Sequence, residues 1–339
     1  MTTTPASAGV RAPLRGAAWR HCALIAAVGA AACLAFPDQL GLLSRIAIMA
    51  LFVLSLDLLV GYAGLATLGH AALFGAGAYA AGITALRWSA DPLLGLAVGA
   101  GAGSALAALS ALLLLRYQGF TFLMLTVAIA SIVQNLASKY REWTGGDDGL
   151  SGYLMQPLLG LEFDFEGRLA FWYALVVLVL GYWLARRLVD SPFGLSVQGI
   201  HQSRARMAAL GTPVWRQLFV VYTVAGTLAG VAGALSAQVN TIVGLDSLGF
   251  ALSAEALVML VLGGAGRLYG ALIGAAVFMV LHHTAAAINP YHWLFVVGGV
   301  LMLVVLLPRE RIACWFLAPL QRLWPRRTPT APDAKERHA

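Results

Sequence analysis

The stretch LDLLVGYAGLATLGHAALFGAGAYAAG, from Leu56 to Gly82, holds one carboxylate, Asp57, and no Lys or Arg. Inside lipid, backbone N–H and C=O groups must bond within their own segment, so apolar runs of this kind read as helices, each needing ~20 residues to cross a hydrocarbon core. GYAG at 61–64 interrupts the run with permissive backbone, the pattern expected where a helix is broken to line a pathway. GGAG at 263–266 repeats that pattern late in the chain and hints faintly at a duplicated half.

The same composition extends outward from this stretch. Hydrophobic residues make up 60% of the 339 and charged residues 11%, whereas an average soluble domain is roughly a quarter charged. The alternation of a barrel strand is absent. The chain therefore reads as an all-α polytopic membrane protein with about ten transmembrane or re-entrant helices. They fall near 21–36, 41–60, 65–86, 93–115, 120–138, 169–189, 216–238, 251–263, 268–288 and 291–307. The first and eighth are short for a full crossing.

Charge supplies the orientation, because cytoplasmic loops collect Lys and Arg. Arg11, Arg15 and Arg20 precede the first segment, and the 190–215 loop region carries Arg186, Arg187, Arg204, Arg206 and Arg216 against Asp190. The 139–168 loop is acidic instead, with Glu142, Asp147, Asp148, Glu162, Asp164 and Glu166. These signs place 190–215 in the cytoplasm and 139–168 outside. Arg309, Arg311, Arg322, Arg326 and Arg327 put the C-terminus on the N-terminal side, so the crossings are even in number, eight or ten. The organisation expected is a cytoplasmic N-terminal tail 1–20, a transmembrane domain 21–307 and a cytoplasmic C-terminal tail 308–339. The Pro- and Arg-rich ends read as disordered. Orientation and anionic lipid headgroups account for the net +7 without nucleic acid.

Much chemistry is missing. Lys139 and Lys335 are followed by Tyr and Glu, so neither builds a phosphate-cradling loop. GxSxG, HExxH and CxxC are absent, and Cys22, Cys33 and Cys314 are too separated for a disulfide framework or metal cluster. No cofactor or metal is expected. AAAC ending at Cys33 loosely imitates a lipoprotein cleavage site, but cleavage would remove a crossing. His282, His283 and His292 read as interface-facing rather than metal-binding. Asp57 is the ionisable residue set deepest. It reads as an acceptor for the exposed backbone of the adjoining GYAG turn, with a proton relay as the rival reading. Glu255 is placed near the outer end of the eighth segment. Ser203 to Leu210 reads as a short helix stopped by Gly211.

Four stretches carry a family resemblance. Leu56 to Gly82 resembles the signature region of branched-chain amino-acid ABC-transporter permeases of the LivM type. TGGDDGLSG at 144–152 is similar to that family's extracytoplasmic TGG-acidic-GL motif, and SAEALVMLVLGGAGRLYGALIGAAV at 253–277 to its late glycine-rich segments. Residues 193–235 resemble its cytoplasmic loop and following helix. The matches stand in family order and extend from about residue 45 to 307. Gln198, His201, Gln202 and Ser203 depart from the more charged run of Arg, Glu and Asn usual there.

The resemblance implies a non-catalytic bacterial inner-membrane permease subunit that forms half of a pathway. It implies a second related permease, two cytoplasmic ATPase subunits and an extracytoplasmic substrate-binding protein as partners, besides membrane lipids. The ATPase-coupling element would comprise Gly194, Gly199, Ile200, His201, Arg204, Arg206, Ala209, Leu210 and Gly211. An interfacial basic helix on lipid headgroups is the alternative. Candidate pathway residues are Asp57, Gly61, Tyr62, Gly64, Thr67, His70, Gly263, Gly264 and Gly266. With so few charges along it, the path would be weakly selective and suit hydrophobic amino acids. Permeases for urea, short-chain amides or other small solutes resemble one another closely and stay open as alternatives. So does a proton-coupled transporter using Asp57, and beyond it a membrane enzyme or scaffold.

Overall fold

A computed structural model describes residues 17–153, 155–156, 168–288, 298–299 and 302 of the chain. Two compact units divide it, Met1–His283 and Thr284–Ala339, and the helices carrying the site belong to the first. Helices occupy the first nine expected segments. They are α1 (Ala17–Ala35), α2 (Leu40–Asp57), α3 (His70–Arg87), α4 (Pro92–Leu114), α5 (Phe120–Lys139), a short α6 (Arg141–Thr144), α7 (Arg168–Val189), α8 (Pro192–Gln202), α9 (Arg204–Ala209), α10 (Val214–Asn240), α11 (Phe250–Gly263) and α12 (Leu268–Ile288). The tenth expected segment, 291–307, lies almost wholly outside the described residues, as does the 308–339 tail. The expected 1–20 tail is shortened by α1, which already runs at Ala17.

Among the described residues, six helical stretches are long and apolar enough to cross a membrane: Pro37–Tyr62, Pro92–Leu114, Phe120–Lys139, Arg168–Val189, Val214–Asn240 and Leu268–Ala287. This is a multi-pass membrane protein. Trp19–Ala35 and Phe250–Gly263 are shorter apolar helices.

The trunk is α3, α4 and α10, packed through glycine. A side chain at Gly77 would strike the Gly230 carbonyl, one at Gly103 the Gly226 carbonyl, and one at Gly233 the Phe74 carbonyl. Small residues let backbones approach this closely, so dispersion contacts replace the hydrophobic drive that lipid cannot supply. A buried polar clamp adds direction. Gln238 of α10 donates from Nε2 to the Pro92 carbonyl at 2.8 Å and accepts from the Tyr173 hydroxyl at 2.8 Å, joining α4, α7 and α10.

One expectation needs correction. The 65–86 segment is helical only from His70, because the chain runs irregularly through 63–69 before α3 begins. A helix opening inside the protein exposes unpaired N–H groups, and one local and two distant side chains meet them. Leu68 N–H donates to Thr126 Oγ1 at 3.3 Å, Gly69 N–H to Thr67 Oγ1 at 3.2 Å, and Ala71 N–H to Ser253 Oγ at 2.9 Å.

α11 is the counterpart. Its 14 residues rise about 21 Å, short of a hydrocarbon core of about 30 Å. The preceding chain makes up the difference by descending beside α3. Val243 lies against Gly82 and Leu248 against Gly75, while Ser253 bonds Ala71. Glu255, in the second turn of α11 as its place in the eighth segment suggested, is thereby carried below the level of the hairpin.

At the far end from α8 and α9, the TGGDDG turn folds into a compact hairpin. Leu150–Ser151 pairs antiparallel with Ile242–Val243, in register Leu150↔Val243. Gly145, Gly146 and Gly149 hold positive φ there, a conformation that glycine adopts without steric cost. Asp147 Oδ1 accepts from Ser138 Oγ at 2.7 Å, and its Oδ2 pairs with Arg141 at 2.9 Å. Arg87 donates to the Glu142 carbonyl and lies 3.8 Å over the Trp143 ring.

Candidate functional site

After Asp57 the helix widens into a π turn, Leu58–Tyr62. Ala63 N–H reaches back to the Leu58 carbonyl at 3.2 Å and Leu65 N–H to Leu59 at 2.8 Å. Gly64 then takes φ +69 and the chain leaves the helix. The GGAG turn breaks in the same way, with Gly264 at φ +92 and Gly266 at φ +80.

The two turns meet. Asp57 Oδ1 accepts the Gly266 N–H at 2.7 Å, and a side chain at Gly61 would collide with both Asp57 Oδ1 and the Gly266 backbone. The expected bond from Asp57 to its own GYAG turn is thus replaced by one to the other glycine turn. The physical reason is the π turn, which satisfies Ala63 and Leu65 by itself and leaves the carboxylate for Gly266. The second carboxylate oxygen, Oδ2, is buried without a hydrogen-bond partner.

Thr67 and His70 lie deeper and are buried with Asp57, each no more than 1% exposed. His70 Nε2 shares a 2.8 Å hydrogen bond with Ser55 Oγ, and its ring stacks 5.4 Å from that of Phe52. That links α2 to α3. As they stand, Asp57, Thr67 and His70 present no surface to a solute. Tyr62, Gly61, Gly263, Gly264 and Gly266 are half-buried, and Gly64 is exposed.

α8 lies against the GYAG turn, and α9 packs on α8. Ser191 caps α8 by accepting from Gly194 N–H at 3.3 Å, with Pro192 in the first turn, a preorganised start. Gly194 sits on the Leu188 and Val189 carbonyls, where a Cβ would clash. Val197 and Ile200 are buried. Beside them Leu58, Tyr62, Val189, Gly194, Val197 and Val221 line a small apolar crevice. The His201 ring lies over Gly64, so close that a Cβ there would meet it at 2.5 Å.

Ser203 then caps α9, accepting from Arg206 N–H at 3.3 Å. Gly199 leaves room for the Met207 sulfur between the two helices. Gly211 ends the pair at φ +80, its N–H bonded to Ala208 and that of Thr212 to Met207, the reversed bonding of a glycine C-cap. Arg206, Ala209 and Leu210 are exposed, Leu210 by 73%. Arg204 is half-exposed, and that partial burial lowers its pKa. Among the described residues no group of three His, Cys, Asp or Glu is placed to hold a metal.

A family model described as the permease component of branched-chain amino acid transport systems matches residues 39–306. The chain belongs to that family. It is 29% identical over 280 residues to the high-affinity branched-chain amino acid transport system permease protein LivM of Salmonella typhimurium, and 28% identical over 280 residues to LivM of Escherichia coli. Each match covers 75% of this chain but 64% of the relative's length. A fructose import permease protein of Bifidobacterium longum is 30% identical over 147 residues, 41% of this chain and 42% of that protein. No solved structure matches.

Sequence reasoning missed Ser253, Thr126 and Gln238 as structural anchors of this permease. Each is a polar residue isolated in an apolar helix, and that isolation is the signal that would have found them.

Proposed function

We propose that this chain is the membrane subunit of an ATP-driven importer for branched-chain or other hydrophobic amino acids in a bacterial inner membrane. It forms half of the pathway with a second, related permease, and an extracytoplasmic binding protein delivers the substrate. Two ATPase subunits bind on the cytoplasmic side, where both termini and the α8–α9 pair lie.

The observation that carries this reading is the unbroken line of contact from α8–α9 inward. His201 rests on Gly64, the GYAG turn rests on the GGAG turn, and Asp57 bonds Gly266. A helix pair with exposed Leu210 and two arginines at its surface, backed by two breakable turns, suits an element that a partner pushes. A purely lipid-binding helix needs no such backing. The complete burial of Asp57 and its bond to a backbone N–H favour a structural role over a proton relay.

The match to a fructose import permease supports a second reading, import of another small polar solute by the same machinery. Purification with its partners in mild detergent, followed by ATPase assays with the binding protein loaded with candidate ligands, separates the two. Stimulation by leucine-loaded binding protein supports the first reading. Charge reversal at Arg204 and Arg206 lowers ATPase association and stimulation. Normal association and stimulation in that variant would remove the coupling assignment.

A further inference from the structure

Glu255 is an acid on a helix whose other polar side chain is Ser253, and its depth can be measured along α3. Gly82 is level with the hairpin strand at Val243, and Ala71 is level with Ser253. The drop from Gly82 to Ala71 is about 16 Å, half of a ~30 Å hydrocarbon core, and Glu255 lies about 3 Å deeper still. With the outer edge of the hydrocarbon core set at the level of the hairpin, the carboxylate lies near the mid-plane.

It is also half-buried, so it reaches a surface of the chain. Ser253, Ala256, Met259 and Leu260 form the buried side of α11, and Glu255 sits at the margin of that side, one turn before Met259. Among the described residues it makes no hydrogen bond or ion pair. A charge at this depth is costly, and such residues face an aqueous or protein-lined interior and take a partner there.

We propose that Glu255 receives the ammonium group of the amino-acid substrate as it crosses the mid-plane. This inference rests on the amino-acid import reading. A free amino acid is a zwitterion, and stripping its ammonium of water without a counter-charge is prohibitive at low dielectric. One unpaired carboxylate, reached late from either side, offsets that cost for the amine. It also repels a substrate analogue that carries the carboxylate alone.

The test uses the full transporter, with both permeases, its ATPases and binding protein, in proteoliposomes. L-leucine uptake is measured while L-leucine or 2-hydroxy-4-methylpentanoate is applied from the ATPase side as trans-inhibitor. In the wild type, leucine inhibits at a concentration about tenfold lower than the hydroxy acid, the scale of one ionic hydrogen bond. Glu255→Gln brings the two inhibitors within about twofold of each other and slows uptake, while thermal unfolding and co-purification of the permeases stay unchanged. Glu255→Asp keeps the gap.

An equal gap in wild type and Glu255→Gln overturns the proposal. So does loss of the second permease from the purified variant, which would mean that Glu255 pairs with a cation of that subunit. Absence of ATP-dependent leucine uptake in the wild type would instead sink the import reading on which the proposal stands.

Discussion

The Asp57 carboxylate accepts the Gly266 N–H at 2.7 Å across 209 positions of sequence. Asp57→Leu leaves that buried N–H unmet and costs about 1–3 kcal/mol of stability. Asp57→Asn keeps an acceptor oxygen and costs less, and it retains uptake. Thermal unfolding of the purified complex measures the difference. Loss of proton-driven uptake in Asp57→Asn, with unfolding unchanged, would restore the proton-relay reading.

Gly61→Ala forces a methyl group against Asp57 Oδ1 and the Gly266 backbone. Backbone cannot yield as a flexible side chain does, so the two turns separate and folded yield falls, with overpacking costing about 1–3 kcal/mol. Gly101→Ala is the control, because nothing lies near its Cβ. It is neutral or slightly stabilising in its helix. Size-exclusion profiles of the two variants give the comparison.

Leu210 is 73% exposed and contributes little to folding. Leu210→Ala leaves the unfolding temperature within about 1 °C and weakens ATPase binding about tenfold, as an apolar anchor at an interface would. Titration of the purified ATPase onto the permease pair measures it. Unchanged binding would place the ATPase contact elsewhere.

Gln238→Leu removes the donor to the Pro92 carbonyl and the acceptor for the Tyr173 hydroxyl. The Tyr173 hydroxyl already lies 3.3 Å from the Pro92 carbonyl and bonds it instead, so the loss is about 1–2 kcal/mol. Tyr173→Phe costs less because Gln238 keeps its bond to Pro92. A double-mutant cycle on unfolding shows coupling between the two positions.

The hairpin is pH-sensitive through Asp147. The Ser138 hydroxyl, then the Arg141 guanidinium, holds its carboxyl below the usual carboxylate range. A carboxyl whose folded pKa is depressed stabilises the folded form above its ordinary value of about 3.9, and that contribution is lost as pH falls through the folded pKa. Protection of the Gly146 and Gly149 amides, measured as exchange relative to the intrinsic rate at each pH, is high at neutral pH and falls in acid. In Asp147→Asn the acid dependence disappears.

What was legible in the sequence was mostly local. Ser191 before Pro192, Ser203 before the Arg204–Ala209 turn and Gly211 after it are capping signals read within four residues. The apolar runs marked nine helices within a few residues of their ends, apart from the late start of α3. Three features depended on contacts that no periodicity encodes. Asp57 found Gly266 and not its own turn; His201 came to rest on Gly64; and Glu255 sank toward the middle because residues 241–249 travel beside α3 before α11 begins. Depth in a bilayer is a property of the whole path of the chain, so counting residues along one segment misplaces it.

The glycine contacts among α3, α4 and α10 have a mechanical meaning. Backbones in direct contact at Gly77, Gly99, Gly103, Gly226 and Gly230 have no side chains that could change rotamer to permit sliding, and close-packed interfaces do not deform continuously. These three helices move as one stator. On the reading proposed above, a transport stroke is taken up by the parts hung on it: α5, α11, and the α8–α9 pair.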